Sequence, residues 1–128
     1  PCYKIASPCA TDKDLITYIK SKGRPVIVST GMMNEEIIDK VVEILGKKDL
    51  IIMHCTSTYP AKNDELHLSI IPRFIAKYPK AYIGYSGHEV GPYPSLLAAA
   101  LGACVIERHI TLDRAMWGSY QAASLEPI

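Results

Sequence analysis

The sequence predicts an α/β fold in which parallel strands alternate with helices, and two patterns indicate it. Five short apolar runs recur along the 128 residues, and stretches with apolar residues at helical spacing separate them. Each apolar run also leads into a polar loop, which is typical of parallel strands that end at one edge of a sheet. The alternation fits an open doubly wound sheet or part of a (β/α)8 TIM barrel. Since a closed barrel needs about 250 residues, the barrel interpretation makes this single domain, residues 1–128, a portion of one.

The first half of the chain contains three strands and two helices. Continuous runs of β-branched and other apolar residues indicate the strands. These strands are expected at residues 2–6, 26–28 and 50–53. Residues 11–14 resemble a capping box at the start of the first helix, and Gly23 ends that helix. Asn34 is suited to cap the second helix, which Gly46 closes.

The second half contains two further strands and two further helices. A polar stretch, residues 56–68, precedes a helix with apolar residues at helical spacing over 70–78, which Pro79 ends. Pro94 suits the first turn of the last helix, and Gly102 closes it. The two strands are expected at residues 82–85 and 104–107.

Composition excludes several classes of function. The formal charge of +1 comes from interspersed acidic and basic residues, and no basic stripe is present that would follow a phosphate backbone. No apolar run approaches the roughly 20 residues of a membrane span, and no signal-like segment opens the chain. The four cysteines lack C-x-x-C spacing, so we expect reduced thiols and no zinc cluster. These features predict a cytoplasmic protein that binds neither nucleic acid nor membrane.

Two histidines follow consecutive predicted strands, His88 after the fourth and His109 after the fifth. Neighbouring parallel strands end side by side, so both imidazoles are placed to bind one divalent ion, with water and substrate oxygens as the other ligands. Imidazole suits transition metals such as Mn or Zn. The alternative is that each ring simply packs at the end of its strand.

Lys4, Ser29 and Ser86 suggest an anion site at the same edge. The alternation of the first strand directs Lys4 toward a face shared with its neighbours, and an ammonium suits a phosphate or carboxylate. Each serine stands just beyond an apolar run, close to a glycine that lets the backbone approach an anion. The alternatives are a surface lysine on an edge strand and serines that only complete turns.

Taken together, the strand exits match a family pattern. The motifs are YKIAS at 3–7, PVIVSTGM at 25–32, HCTSTYP at 54–60, IGYSGH at 83–88 and IERHITLD at 106–113. The match continues through ASLEP at 123–127. On these motifs the chain resembles the sialic acid synthase (N-acetylneuraminate synthase) family, over the carboxyl-terminal part of its TIM barrel, about strands four to eight.

The resemblance implies an enzyme that condenses phosphoenolpyruvate with N-acetylmannosamine or its 6-phosphate, with a divalent metal such as Mn²⁺ or Mg²⁺. It implies a catalytic Lys4 that holds phosphoenolpyruvate, and two metal ligands, His88 and His109. The hydroxyl groups it assigns to phosphoenolpyruvate belong to Ser7, Ser29 and Ser86. It places the amino sugar against Ser57 and Tyr59, although many family members carry Asn where this chain has Ser57.

The resemblance also implies an incomplete site. The family's first three strands supply an acidic residue, a lysine and a threonine, and a further domain of a partner subunit supplies an arginine. Cys9 and Tyr120 replace acidic residues of most relatives. A tyrosine cannot act as a carboxylate base near neutral pH. We therefore expect the isolated chain to be inactive and its parent to be a homo-oligomer, most simply a homodimer.

Two other functions remain open from the residues alone. A class I aldolase also places a lysine on a barrel strand, so Lys4 is a candidate for a Schiff base. A noncatalytic α/β module that binds an anion or a sugar is the other alternative, and the Cys9 and Tyr120 positions favour it slightly.

Overall fold

In the computed structural model, which describes residues 1–127, five parallel strands form one sheet, ordered β1-β2-β3-β4-β5. The strands are Tyr3–Ile5 (β1), Val26–Ser29 (β2), Leu50–Cys55 (β3), Tyr82–Gly87 (β4) and Val105–Arg108 (β5). The helices are Lys13–Ser21 (α1), Glu35–Leu45 (α2), Ile70–Lys77 (α3) and Tyr93–Ala100 (α4). A doubly wound sheet reverses its strand order at a switch point, whereas this order is sequential. The fold is therefore part of a (β/α)8 barrel, as predicted.

The helices begin where the sequence indicates. The Asp12 carboxylate accepts a hydrogen bond from the Leu15 N–H (3.0 Å) at the start of α1. The Asn34 side chain accepts one from the Ile37 N–H (3.0 Å) at the start of α2. Each contact satisfies a backbone donor that has no partner within the helix. Gly46 closes α2 with a φ of 74°, a conformation that glycine adopts without steric strain.

Strands β3 and β4 each continue two residues beyond the predicted ends. The pairs His54 with Tyr85 and Cys55 with Ser86 extend the parallel ladder between them. The prediction stopped where apolar residues stopped, but backbone hydrogen bonds continue through the polar residues. Side chains at the exits of these strands are therefore held by the sheet rather than by loops.

The two faces of the sheet differ in burial. The outer face packs against the helices, and the core there contains Ile5, Val28, Ile52 and Ile83, none more than 4% exposed. Alternation directs Ile27, Ile51 and Val105 to the inner face, where they are only half-buried. A closed barrel covers this inner face with side chains from all eight strands, and five strands leave it partly open.

Apolar side chains are also exposed beside the β5 edge. In α4, Tyr93, Leu96 and Leu97 are between 59% and 75% exposed. Ile106 of β5 is 40% exposed. No helix within residues 1–127 combines the length and the apolar character that a bilayer crossing requires.

Candidate active site

A cleft of about 330 Å³ lies at the carboxyl ends of the strands. Every strand contributes to its wall, directly or through the residue that follows it. The lining includes seven of the eight predicted site residues: Lys4, Ser7, Ser29, Tyr59, Ser86, His88 and His109. The remaining lining residues are Ala6, Pro8, Cys55, Glu107 and Tyr120.

A chain of polar contacts crosses the cleft floor from β1 to β5. The Lys4 ammonium donates to the Ser29 hydroxyl (Nζ to Oγ, 2.9 Å) and forms an ion pair with Glu107 (Nζ to Oε1, 3.3 Å). The Ser86 hydroxyl donates to the same carboxylate oxygen at 2.8 Å. Charge-assisted hydrogen bonds of this kind orient both partners strongly. Lys4 is thus aimed into the cleft although β1 is an edge strand.

Glu107 is the site residue that the sequence analysis missed. It stands two positions before His109, so strand alternation places both side chains on the inner face. That spacing was the available signal. Its role becomes evident only when the folded sheet brings Lys4 and Ser86 next to it.

Ser7 contacts the neighbouring strand exits. Its hydroxyl oxygen accepts a hydrogen bond from the Gly31 N–H (2.9 Å) and lies 3.8 Å from the Cys55 sulfur. A Cβ on Gly31 would lie 2.9 Å from the Ser7 oxygen, closer than side-chain carbons approach. Glycine at position 31 therefore allows the close approach that fixes Ser7.

The two histidines lie side by side at the mouth of the cleft, with ring centroids 5.3 Å apart. His88 Nδ1 lies 2.7 Å from the Thr56 carbonyl oxygen, and this contact requires the proton to be on Nδ1. Nε2 of His88 then carries a free lone pair. Burial lowers the pKa of both rings, and for His109 the neighbouring His88 lowers it further. Both imidazoles are neutral near pH 7, the form that binds metals.

Two tyrosines pack around the histidines. The Tyr59 ring lies 4.1 Å from the His88 ring, and the Tyr120 ring stacks on His109 at 5.0 Å with nearly parallel planes. The two tyrosine rings meet edge to face at 5.0 Å. Burial raises the pKa of Tyr59, so its hydroxyl stays protonated. Tyr120 contributes to the site by stacking on His109.

The donor set fits a divalent metal. Two neutral imidazoles lie close together, and the hydrogen bond to Thr56 fixes the orientation of one, as backbone carbonyls do for many metal-binding histidines. Among residues 1–127, no group of three His, Cys, Asp or Glu side chains is arranged to hold an ion. The two imidazoles are therefore the candidate ligands that residues 1–127 bring together.

Ser57 lies outside the cleft. It lines an adjacent groove with Thr30 and Met32, and its hydroxyl lies 3.9 Å from the Cys55 sulfur. His54 lies on the outer side of the sheet, where Nε2 contacts the Leu66 carbonyl oxygen at 2.7 Å. Seven predicted residues thus line the cleft, and Ser57 lies at its border, beside the Cys55 side chain that lines both the cleft and the groove.

Comparison with known proteins identifies the family of this chain. The model of the NeuB family matches residues 1–128. The N-acetylneuraminate-9-phosphate synthase of Drosophila melanogaster is 38% identical over 99% of this chain and 35% of its own length. The N,N'-diacetyllegionaminic acid synthase of Campylobacter jejuni is 38% identical over 98% of this chain and 39% of its own length. The chain thus spans little more than a third of these curated relatives.

A solved structure shares the fold. The crystal structure of N-acetylneuraminic acid (sialic acid) synthetase from Leptospira borgpetersenii superposes with a TM-score of 0.92 at 36% identity. The superposition covers 98% of this chain and 44% of that one. The strand order, the motifs and these matches agree, and the chain belongs to the NeuB family of sialic acid synthases.

Proposed function

We propose that the protein to which this chain belongs condenses phosphoenolpyruvate with an N-acetylmannosamine-type sugar to give a nine-carbon 2-keto sugar acid. One observation carries the proposal: a lysine, three serine hydroxyls and two neutral imidazoles converge on a single 330 Å³ cleft. Cationic and hydroxyl donors suit the phosphate and carboxylate of phosphoenolpyruvate. Family membership supports the reaction class.

Lys4, Ser29 and Ser86 are proposed to bind phosphoenolpyruvate. The Lys4 ammonium has three donors, and Ser29 and Glu107 engage two of them. The third is available to an anion. Glu107 and Ser29 orient the Lys4 ammonium before the anion arrives, and Ser29, which accepts from Lys4, keeps its own O–H free to donate. Such preorganisation lowers the entropic penalty of holding two reactants together. The Ser86 hydroxyl donates to Glu107, so it can donate to an anion only after that contact breaks.

His88 and His109 are proposed to hold the divalent metal, Mn²⁺ or Mg²⁺. A bound divalent ion supplies Lewis acidity, which polarises a carbonyl group such as the sugar aldehyde. In the overall reaction C3 of phosphoenolpyruvate bonds to the aldehyde carbon, water adds at C2, and phosphate leaves with cleavage of its C–O bond. Tyr59 and Tyr120 line the same mouth and are proposed to exclude water from it.

The acceptor sugar is proposed at the class level. The relatives named above are an N-acetylneuraminate-9-phosphate synthase and an N,N'-diacetyllegionaminic acid synthase, so one family accommodates several acceptors. Tyr59 and Ser57 are the proposed sugar contacts of this chain. Ser57 lies at the border between the cleft and the adjacent groove, with its hydroxyl 3.9 Å from the Cys55 sulfur.

The Schiff-base alternative receives no support from the surroundings of Lys4. A nucleophilic lysine needs a neutral amine, which apolar burial or a neighbouring cation promotes. Lys4 instead lies 3.3 Å from the Glu107 carboxylate and 2.9 Å from the Ser29 hydroxyl, in a polar and half-exposed setting. We propose that Lys4 binds the anion and forms no covalent bond.

Titration calorimetry on the 128-residue chain tests the proposal. We expect Mn²⁺ to bind, phosphoenolpyruvate to bind more tightly once Mn²⁺ is present, and both effects to disappear in the paired variant His88→Ala, His109→Ala. His67→Asn is the control, since this exposed histidine lies outside the cleft and asparagine tolerates its φ of 46°. Wild-type binding that survives loss of both histidines would contradict the proposal. Binding of phosphoenolpyruvate without any metal linkage would favour the noncatalytic anion-binding module.

A further inference from the structure

A buried ion pair lies on the outer side of the sheet, directly behind the cleft. The Arg108 side chain is 6% exposed and the Glu89 side chain is fully buried, with Nη1 and Oε1 2.8 Å apart. The two residues come from different segments, Arg108 from the end of β5 and Glu89 from the loop after β4. The pair therefore joins these two segments at the height of the cleft.

Each partner is adjacent in sequence to one of the proposed metal ligands. Glu89 follows His88, and Arg108 precedes His109. Since alternate side chains of an extended chain point to opposite faces, the imidazoles lie in the cleft while the ions lie behind it. Each ion is one residue away from a histidine along the backbone. A contact between Glu89 and Arg108 therefore sets the separation of the two imidazole rings.

Further hydrogen bonds join the Glu89–Arg108 pair to β4, to the loop after it and to α4. The Tyr85 hydroxyl donates to Glu89 Oε2 at 2.8 Å, and Ser95 of α4 donates to Oε1 at 3.1 Å. Arg108 Nη1 also donates to the Gly91 carbonyl oxygen at 2.8 Å. Strand β4, the loop after it and α4 are thereby connected through one carboxylate and one guanidinium.

Arg108 also reaches the segment that carries Tyr120. Its Nη2 donates to the Ala123 carbonyl oxygen at 3.3 Å, within the short 3₁₀ turn Gln121–Ala123. Tyr120 immediately precedes that turn and stacks on His109. The guanidinium therefore holds both the backbone next to His109 and the aromatic ring that packs on it.

Gly87 leaves room for the carboxylate. A Cβ at this position would lie 2.6 Å from Glu89 Oε2 and 2.7 Å from the Tyr85 ring. No larger residue fits there without displacing the network. The absence of a side chain at position 87 thus leaves the space that the Glu89 carboxylate occupies.

Stability alone is a weak reason for this arrangement. Desolvation of two buried charges offsets most of their attraction, and apolar replacements are often neutral or stabilising. In addition, Arg108 Nε is buried without a hydrogen-bond partner among residues 1–127. What the ion pair provides is a fixed geometry. A forked guanidinium sets the distance and angle to its partner, whereas apolar contacts do not.

We propose that Glu89 and Arg108 are positioning residues that hold the imidazoles of His88 and His109 at the separation needed to bind one divalent ion. The inference rests on the proposed metal site. It assigns neither residue a contact with metal or substrate.

The test compares Mn²⁺ affinity among single variants by titration calorimetry, well below each variant's unfolding temperature. Glu89→Gln keeps the shape of the side chain but removes its charge, and Arg108→Lys keeps the charge but removes the fork. We expect Mn²⁺ to bind roughly 10- to 100-fold more weakly, the range typical of groups that orient ligands. Asp39→Asn, which disrupts an exposed ion pair with Lys77 on the helical surface, should leave the affinity unchanged.

Ser95→Ala serves if either charge variant fails to fold, because it removes one contact to each partner without burying a lone charge. A several-fold weakening of Mn²⁺ binding in this variant supports the proposal. Variants that unfold at lower denaturant concentration yet bind Mn²⁺ as tightly as wild type would show a merely structural role and overturn it.

NMR of the metal-free chain separates this inference from the metal site itself. We expect cross-ring contacts between His88 and His109 in wild type, and their loss in Glu89→Gln. That result supports the positioning role even if wild type binds no Mn²⁺, an outcome that would refute only the metal site. Unchanged cross-ring contacts in Glu89→Gln would overturn the positioning role.

Discussion

Individual side chains in this cleft depend on partners that are distant in sequence. Lys4 is directed by Glu107, 103 positions later in the chain, and Ser86 donates to the same carboxylate. Strand alternation predicted that Lys4 faces the cleft, since alternation is a local property. Ser86 was expected just beyond its strand, and the structure places it within β4. Glu107 was missed because its role depends on a lysine that only the folded sheet brings near.

Lys4→Met is expected to weaken phosphoenolpyruvate binding by about 10- to 100-fold, because hydrogen bonds to charged groups contribute about 1.5–3 kcal/mol. Isothermal titration at fixed Mn²⁺ measures the change. Lys48→Met provides a matched control on an exposed lysine at the opposite end of the sheet. Equal affinities for wild type and Lys4→Met would remove Lys4 from the anion site.

The stability of the chain should fall as pH decreases below about 6.5, the ordinary pKa of histidine. Burial lowers the pKa of His54, His88 and His109 in the folded chain, so the unfolded chain binds protons first. This stabilisation is complete above the unfolded pKa and is lost as pH falls toward the lower folded values. Urea unfolding between about pH 8 and 5 measures the slope.

His54→Asn should make that slope shallower, because one of the three buried imidazoles is removed. His67→Asn is the control; this exposed residue has a φ of 46°, which asparagine tolerates. A slope that is identical in wild type and His54→Asn would contradict the assigned burial effect.

At the scale of elements, the paired strands fix the positions of most cleft side chains, and the loops position the others. The cap at Asn34 was predicted correctly because capping depends on three or four neighbouring residues. The capping box expected over residues 11–14 places Thr11 at the cap, whereas Asp12 caps α1 in the structure. The location of Ser57 in the adjacent groove was not predictable in the same way. It depends on the path of the loop after β3, which no local sequence pattern specifies.

Gly84→Ala should displace β5 and disturb the cleft. A Cβ there would lie 2.8 Å from the Val105 carbonyl oxygen and 2.4 Å from the Met53 sulfur. Overpacking of this kind typically costs about 1–3 kcal/mol, and a shift of β5 moves His109 away from His88. Denaturant unfolding and Mn²⁺ titration should both change.

Gly23→Ala is the matched control for Gly84→Ala. Its Cβ would meet nothing within 4 Å, although its φ of 63° disfavours alanine. We therefore expect lower stability with normal Mn²⁺ affinity. Normal affinity in Gly84→Ala as well would contradict the idea that β5 sets the position of His109.

At the scale of the whole molecule, five strands form a barrel segment with two open edges. The order of strands and helices was predicted from periodicity, because alternating patterns specify parallel units well. The buried Glu89–Arg108 pair was not predicted, because charged residues are rarely fully buried and local patterns do not reveal their partners. Tertiary contact alone identifies such a pair.

The isolated chain should self-associate through the exposed apolar surface of α4 beside β5. Open strand edges and apolar patches both favour association. Leu96→Lys combined with Leu97→Lys should shift the population toward monomer in sedimentation velocity at equal concentration. Tyr18→Lys, at an exposed position of α1, should not. A wild-type chain that stays monomeric at high concentration would contradict this expectation.

The central claim is that two imidazoles bind one divalent ion at the mouth of the cleft. Pulsed electron paramagnetic resonance of Mn²⁺ added to the chain with ¹⁵N-labelled histidine measures this directly, because it detects each nitrogen bonded to the ion. The account predicts coupling to two histidine nitrogens in wild type and to one in either His88→Ala or His109→Ala. Coupling to no nitrogen, or coupling that persists unchanged in both variants, would contradict it.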